Sequence, residues 1–383
     1  MSADSRQPPI PYYWRLSSFY LFYFALLGTL VPYWSLYLRD AGFAAAQIGL
    51  LMAIPQITKL GAPNLWGWLA DRTGQRLRVI RTGNLLAAII FTGVFVADGF
   101  WSMVIVLAGF SFFWNAVLAQ FEVITLETLG DRSHRYSQVR LWGSVGFIAA
   151  VLAVGALLDV LPVSVLPWLL WGSLWLIWFC TLFLPAGSAA VKLHTGGSLW
   201  AILQQPGVLA FFFCAFLMQL SHGPYYTFYT IHLVDLGISR TVAGMLWALG
   251  VVAEVGLFLL MHWLLVRVPL KVIVVSSLLL ASLRWLLIGS VGDSLFWLAL
   301  AQLLHAATFG SFHAAAMAWL HRTFVGGHAG QGQALYSSLG FGAGWAVGAG
   351  LSGVVWTALG ADSFYLAALV ALLAAGLAAV RLR

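Results

Sequence analysis

The stretch Gly67-Trp68-Leu69-Ala70-Asp71-Arg72-Thr73-Gly74-Gln75-Arg76 is where an apolar run turns abruptly polar. Charged side chains such as Asp71, Arg72 and Arg76 are expensive at membrane depth. On either side lie apolar stretches, 46–70 and 78–97, each at least about 20 residues, the length that crosses a bilayer as a helix. The segment therefore reads as a polar turn between two membrane-crossing helices. The same reading extends along the whole chain.

The chain has 383 residues, 62% of them hydrophobic and 8% charged, with a mean hydropathy of +0.92. Typical soluble proteins carry roughly 25% charged residues. So little charge cannot coat a soluble surface, which makes this a polytopic membrane protein with the lipid bilayer as its solvent. The net charge of +7 and pI near 9.6 would suit nucleic acid if the basic residues formed a patch or an arm. They are spread over the ends of the apolar runs instead, so no nucleic-acid partner is expected. Cys180 and Cys214 both lie inside apolar segments, which supports neither a disulfide framework nor a metal site and leaves them packing roles. The polar start, Met1 to Pro11, precedes an apolar run too long for a signal-peptide core and without a small-residue cleavage pattern. That run is expected to stay as a membrane helix.

Twelve apolar runs are placed at 12–38, 46–70, 78–97, 101–127, 138–158, 164–184, 206–234, 241–266, 270–290, 294–320, 330–357 and 362–381. The longest interruption holds Gly187, Ser188, Gly196, Gly197 and Ser198 and divides the runs six and six. The expected fold is all-α: twelve transmembrane helices in two six-helix bundles, 1–185 and 206–383, with a cytoplasmic linker over 186–205. Lys and Arg resist translocation. With the N-terminus inside, Arg6, Arg15, Arg72, Arg76, Arg78, Arg81, Arg132, Arg135, Arg140, Lys192, Arg267, Lys271, Arg322, Arg381 and Arg383 are cytoplasmic, and only Arg39 and Arg240 face out. Asp40, Asp98, Asp159, Asp235, Asp293 and Asp362 then fall one in each outer loop. Both termini are expected in the cytoplasm of a multi-pass inner-membrane protein.

The two halves also resemble each other. Leu38-Arg39-Asp40-Ala41-Gly42 aligns with Leu233-Val234-Asp235-Leu236-Gly237, Gly49 with Gly244, Lys59 with Glu254 and Arg72 with Arg267. Likewise Leu141-Trp142-Gly143-Ser144-Val145-Gly146-Phe147 aligns with Leu335-Tyr336-Ser337-Ser338-Leu339-Gly340-Phe341. Two similar bundles are the parallel-repeat plan of an alternating-access transporter.

The ten residues from Gly67 to Arg76 closely resemble the G-x-L-A-D-R-x-G-x-R/K signature of the major facilitator superfamily. The resemblance implies that Gly67 and Gly74 allow close helix approach, that Asp71 caps a helix end and makes charge contacts between the bundles, and that Arg72 and Arg76 hold a cytoplasmic gate. The second-half copy, Leu265-Val266-Arg267-Val268-Pro269-Leu270-Lys271, keeps the charges but lacks the Gly and Asp. Further phrases look like the phenylpropionate permease branch, a relative of the lactose permease group: Val31-Pro32-Tyr33-Trp34-Ser35, Val139-Arg140-Leu141-Trp142-Gly143-Ser144, Leu249-Gly250-Val251-Val252-Ala253-Glu254, Leu283-Arg284-Trp285, and Leu304-His305 through His313-Ala314-Ala315. Near relatives in that group carry aromatic acids, sugars or nucleosides.

Ionisable residues at membrane depth cost about 2.5 to 3.5 kcal/mol on insertion scales and are functional candidates by default. Here they are Lys59, Glu122, Glu127, Glu254 and Arg284, with Arg140 at an inner helix end. Glu254, about mid-membrane with Arg284 on the next helix, is the expected proton-coupling acid; the resemblance to lactose-permease-like symporters, which place an acid, an Arg and a His on these three helices, implies the same. His305 and His313, with Gln302 and Phe309, step by three or four along one helix, as do Gln219, His222, Tyr225 or Tyr226, Tyr229 and His232 along another. Both stripes are expected to line a wet path. Glu122 and Glu127 are five residues apart, about 140° around a helix, so only one of them is expected to pair with Arg140. Among 19 Trp and 12 Tyr, Tyr23, Tyr33, Trp34, Trp114, Trp142, Tyr225, Tyr226 and Trp247 are candidates for an aromatic cavity.

The expected function is proton-coupled symport of a small organic solute, an aromatic or other monocarboxylate, by a monomeric carrier with protons and solute as its partners. A sugar or nucleoside symporter, and a drug-exporting antiporter, fit the same architecture. No nucleophile–base pair, metal-ligand cluster, phosphate loop or soluble domain is legible, so neither an enzyme nor a cofactor is expected.

Overall fold

The structure is a computed structural model that describes residues 10–185, 199–205, 207–291, 294–325 and 328–382. Most of the expected linker over 186–205 lies outside the described residues, as do Arg6, Lys192, Asp293 and Arg383. Among the described residues the chain is helical and has no strand: α1 (Tyr13–Asp40), α2 (Ala45–Thr73), α3 (Arg76–Phe91), α4 (Phe100–Trp114), α5 (Val117–Leu129), α6 (Tyr136–Val160), α7 (Leu166–Thr181), a short α8 (Leu199–Leu203), α9 (Val208–Ser221), α10 (Gly223–Asp235), α11 (Arg240–Arg267), α12 (Leu270–Ser290), α13 (Leu295–Leu303), α14 (Phe312–Thr323), α15 (Ala329–Tyr336), α16 (Trp345–Leu359) and α17 (Ser363–Arg381). A 3₁₀ turn, Thr92–Val96, extends α3, and π-helical segments Ala306–Ser311 and Ser337–Gly344 lie between α13 and α14 and between α15 and α16.

Nine helical stretches among the described residues are long and apolar enough to cross a membrane. Two of them, Phe100–Val160 with 61 residues and Gly330–Arg381 with 52, are far longer than the roughly 20 residues one crossing needs. The 29-residue α2 is not among the nine; Gln47, Gln56, Lys59, Asn64, Asp71 and Arg72 along it lower its apolarity.

Several helices expected to be continuous are interrupted. The run expected over 101–127 is broken at Asn115, whose side-chain amide donates to the Pro55 carbonyl at 2.7 Å and the Thr58 hydroxyl at 3.0 Å. The run over 206–234 breaks at His222, where Pro224 two residues later has no N–H to give the Leu220 carbonyl. Gly348 packs its backbone against that same carbonyl.

Helices from the two repeats meet directly: α2 on α16, α6 on α11 and α1 on α10. The α6–α11 crossing needs glycine on both sides, because a Cβ at Gly155 would stand 2.6 Å from the Arg240 carbonyl and one at Gly244 would stand 2.6 Å from that of Val151. Small residues let helix backbones approach where apolar burial gives no driving force between helices in lipid. Tyr33 fills the crossing and donates to the Val151 carbonyl at 2.7 Å.

A polar lock closes this end. Arg39 pairs with Asp235 at 2.6 Å. The Asp159 carboxylate accepts from the backbone N–H groups of Arg240 at 2.8 Å and Thr241 at 2.9 Å, and Arg240 donates back to the Leu158 carbonyl at 2.9 Å. An acid from the first repeat thus satisfies free donors at the start of α11, where the helix dipole favours negative charge. Ser239 accepts from Val242 N–H as the N-cap.

Candidate functional site

At the opposite end the Gly67–Arg76 segment forms a knot within the first repeat. Asp71 binds Arg76, and Arg76, itself buried, donates to the Gln120 side chain of α5 at 2.6 Å. Gly67 faces that glutamine: a Cβ there would lie 3.3 Å from its Nε2. Arg72 lies over the Trp68 ring at 5.3 Å. Gly74 takes the left-handed conformation, φ +65°, that ends α2. The expectation that Asp71 caps a helix and reaches the other bundle is corrected in its geometry. It sits inside α2, two residues before its end, and its partner is Arg76 of the same segment.

Deeper in the second repeat Arg284 is completely buried. Its Nε donates to the Ala301 carbonyl at 2.9 Å, and its terminal nitrogens reach His305 Nδ1 at 3.0 Å, Gln302 Oε1 at 3.2 Å and the Thr308 hydroxyl at 3.3 Å. The rings of Tyr225, at 4.1 Å, and Trp285, at 4.7 Å, flank the guanidinium. Gln302 is pinned at both ends, accepting from the Tyr225 hydroxyl at 2.8 Å and donating to that of Tyr229 at 2.7 Å.

The expected Glu254–Arg284 juxtaposition is not direct. His305 stands between them, with Nε2 at 3.7 Å from the Glu254 carboxylate. Arg cannot accept a hydrogen bond, so Nδ1 is the acceptor towards Arg284 and a neutral ring carries its proton on Nε2, facing Glu254. His305, Phe309 and His313 form a ladder of near-parallel rings with centroids 5.5 and 6.3 Å apart. His313 Nδ1 ends it at 3.3 Å from the Tyr336 hydroxyl.

In the first repeat the cations are held differently. Arg140 lies over the rings of Phe24, at 3.9 Å, and Tyr20, at 5.6 Å. Lys59 lies over Phe341 of the second repeat at 5.8 Å. Glu122 accepts from the Tyr136 hydroxyl at 3.3 Å, and the charges acting on it are those of Arg140 and Lys59. Arg140 acts on Glu254 as well. One guanidinium from the first repeat therefore lies in the field of two carboxylates, one from each repeat. Glu127 takes no part; one of its buried oxygens lacks a hydrogen-bond partner among the described residues.

Other expected site residues scatter. Tyr225 and Tyr226 belong to the aromatic cluster, Tyr226 meeting the Trp345 ring at a tilt at 4.3 Å and stacking on His222 at 5.6 Å. His222 Nδ1 donates to the Met218 carbonyl, 2.8 Å away, and the ring meets Trp285 edge-on. Trp142 does not join Arg140: two positions along a helix do not face each other, and its indole donates to the Tyr13 hydroxyl at 2.8 Å beside Trp14. His232 of the expected stripe packs against Trp356 and Phe364 instead of the Arg284 cluster. Thr308, Tyr20, Phe24 and Tyr136 were not foreseen. Tyr20 and Phe24 are four apart on α1, a spacing that puts both on the face Arg140 meets.

Buried charge, two related helical repeats and a charged turn at one end define an integral membrane carrier. The chain belongs to the MFS_1 like family, whose model matches residues 13–367. It is 31% identical over 363 residues to the probable 3-phenylpropionic acid transporter of Escherichia coli (strain K12), covering 92% of this chain and 93% of that protein. A putative nucleoside transporter of the same organism is 25% identical over 308 residues, 76% of this chain and 72% of the relative. Among solved structures the nucleoside transporter NupG matches with a TM-score of 0.79 at 18% identity over 97% of each chain, which shows the fold. The protein is a secondary transporter of the major facilitator type.

Proposed function

We propose that the protein couples inward movement of a small monocarboxylate, an aromatic one by preference, to that of a proton. Twelve membrane crossings in two six-helix bundles, with both termini on the cytoplasmic side of an inner membrane, would carry out the exchange of access as a monomer. The observation that carries this reading is the placing of Arg140 in the field of both Glu122 and Glu254, with its face on aromatic rings. A guanidinium engages both oxygens of a carboxylate. A solute carboxylate that takes over Arg140 leaves Glu254 in an apolar site without its cation, and an isolated buried carboxylate neutralises itself by binding a proton. Solute and proton then load together. Lys59, held by a ring face alone, is the second candidate cation for the solute. The 31% identity to a probable 3-phenylpropionic acid transporter supports the aromatic acid, as do the rings of Tyr20 and Phe24 against Arg140.

The test is paired transport by the Glu254→Gln variant in proteoliposomes. The amide keeps the size of the acid and fixes a neutral form. Accumulation of 3-phenylpropionate driven by an inward proton gradient is expected to vanish, whereas counterflow exchange at equal pH survives. Accumulation retained in Glu254→Gln removes this residue as the obligatory proton carrier.

A further inference from the structure

Phe341 stands where the two repeats face each other, on the π-helical segment Ser337–Gly344 of the second repeat. The α2 helix of the first repeat packs closely on that segment, since a Cβ at Gly342 would lie 2.5 Å from Leu60 Cδ2. Three neighbouring rings set the plane of Phe341, and all meet it at steep angles: Phe309 at 5.8 Å and 73°, His313 at 5.7 Å and 75°, and Tyr336 at 5.5 Å and 87°. None of the three is stacked on it. The group over its face is the Lys59 ammonium, 5.8 Å from the ring centre.

That face is not sealed in the interior. Phe309, His313, Phe341 and Lys59 are all partly exposed, whereas Tyr336, His305 and Arg284 are buried. Among the described residues Lys59 has the Phe341 ring as its contact and no hydrogen-bond or ion-pair partner. A charge without a partner is very costly in an apolar interior, so Lys59 keeps its charge only where water reaches it. The face of Phe341 thus borders the water-accessible space between the repeats. Core rings are held otherwise: the buried Phe211 stacks on Trp319 at 3.9 Å.

We propose that the face of Phe341 seats the aromatic ring of the carried acid. Aromatic rings stack offset with centroids about 4.5 to 7 Å apart, and the flexible four-carbon stem of a lysine lets its ammonium swing off the face. The same ammonium can then meet the carboxylate at the other end of the solute, a short aliphatic spacer away from the ring. Phe341 becomes the residue that favours aromatic acids over aliphatic ones of equal length. The inference rests on the carboxylate reading above for the partner of Lys59, but not for the seat of the ring.

The experiment is isothermal titration calorimetry of the purified full chain with three probes. They are 3-phenylpropionate, 3-cyclohexylpropionate, which keeps the spacer and the carboxylate but has no π face, and 3-phenylpropionamide, which keeps the ring and loses the charge. Wild-type protein is expected to bind the phenyl acid about two- to tenfold more tightly than the cyclohexyl acid, the worth of an aromatic pair beyond its buried area. Phe341→Leu should bring that ratio to about one, and Phe341→Tyr, which keeps a ring, should preserve it. Equal binding of the two acids by wild-type protein overturns the seat, and this comparison decides even if Phe341→Leu does not fold. A preference that Phe341→Leu leaves standing overturns it as well. The carboxylate reading fails separately: an amide that binds as tightly as the acid overturns that reading, and the seat stands without it if Phe341→Leu still erases the preference for the phenyl ring. No binding of any probe overturns both.

Discussion

Away from the charged turn, the two repeats hold their cations in opposite ways. Arg284 is locked: a carbonyl, an amide, a hydroxyl and an imidazole accept from it, and two rings cover it. Arg140 and Lys59 rest on ring faces, and among the described residues neither has a side-chain hydrogen bond to another side chain or carbonyl. A cation with four of its five N–H donors occupied and rings on its faces has little left for a ligand. One held by aromatic faces keeps its donors free, at the cost of a weaker hold, about 0.5 to 2 kcal/mol for a cation–π contact. The second repeat thus supplies a fixed positive charge beside His305, and the first supplies the cations a carboxylate can use. Aligned stretches of sequence in the two halves do not imply similar work.

The sharpest way to break this comparison is to treat both arginines alike. Arg284→Met should be the most damaging, because Gln302, His305 and the Ala301 carbonyl lose a common partner in a dry interior; breaking such a buried charged network costs about 3 to 5 kcal/mol. A large fall in the melting temperature of detergent-solubilised protein is the expected reading. Near-normal melting would show the lock to be dispensable. Next, Arg140→Lys should leave melting almost unchanged and raise the half-saturation for a carboxylate solute roughly tenfold or more, since a point charge replaces a two-pronged donor. If Arg140→Lys instead melts early and binds normally, the roles assigned to the two arginines are reversed.

Smaller effects test the two ends of the molecule. Asp71→Asn cuts the charge of a knot that lies away from the buried cations, so the maximal rate should fall several-fold while half-saturation holds; parallel changes in both would place Asp71 in the binding site. Asp159→Ala is expected to have the least effect, about 1 kcal/mol or less, the worth of a helix-capping acid at a partly exposed site. Hydrogen exchange at the Arg240 and Thr241 amides should rise in that variant. Unaltered exchange there would mean that the two donors find water equally well.

Much of this was legible before any coordinates. Apolar runs located the helices because in lipid a spanning segment must satisfy its own backbone, and the polar turn that ends at Gly74 was read from its residues, whereas the break beside Pro224 fell inside a run expected to be continuous. Scarcity picked out the ionisable residues, since Lys59, Glu122, Arg140, Glu254 and Arg284 stand out from an apolar background. Who meets whom was not legible. Spacing put Glu254 and Arg284 on neighbouring helices but could not reveal His305 between them, because that depends on the angle at which three helices pack. Glu122 and Glu127 were equivalent by position, and only the facing of α5 towards Arg140 separates them. A residue without charge, such as Thr308, leaves no trace in a hydropathy profile and acquires meaning only from its neighbours.

The ladder of His305, Phe309 and His313 spans the π-helical segment Ala306–Ser311. An α-helix turns once in 3.6 residues, whereas the wider π turn is closed by i→i+5 bonds. A π segment also contains one residue more than the helix needs to make the same turns. That surplus residue can migrate: exchanging a few i→i+5 bonds for i→i+4 bonds moves the wide turn along the chain, and the part left behind advances by about 1.5 Å and rotates by about 100°. The helix that bears His305 can therefore shift its register against Arg284 and Glu254 while remaining hydrogen-bonded throughout, with no proline, no break and no exposure of backbone to lipid.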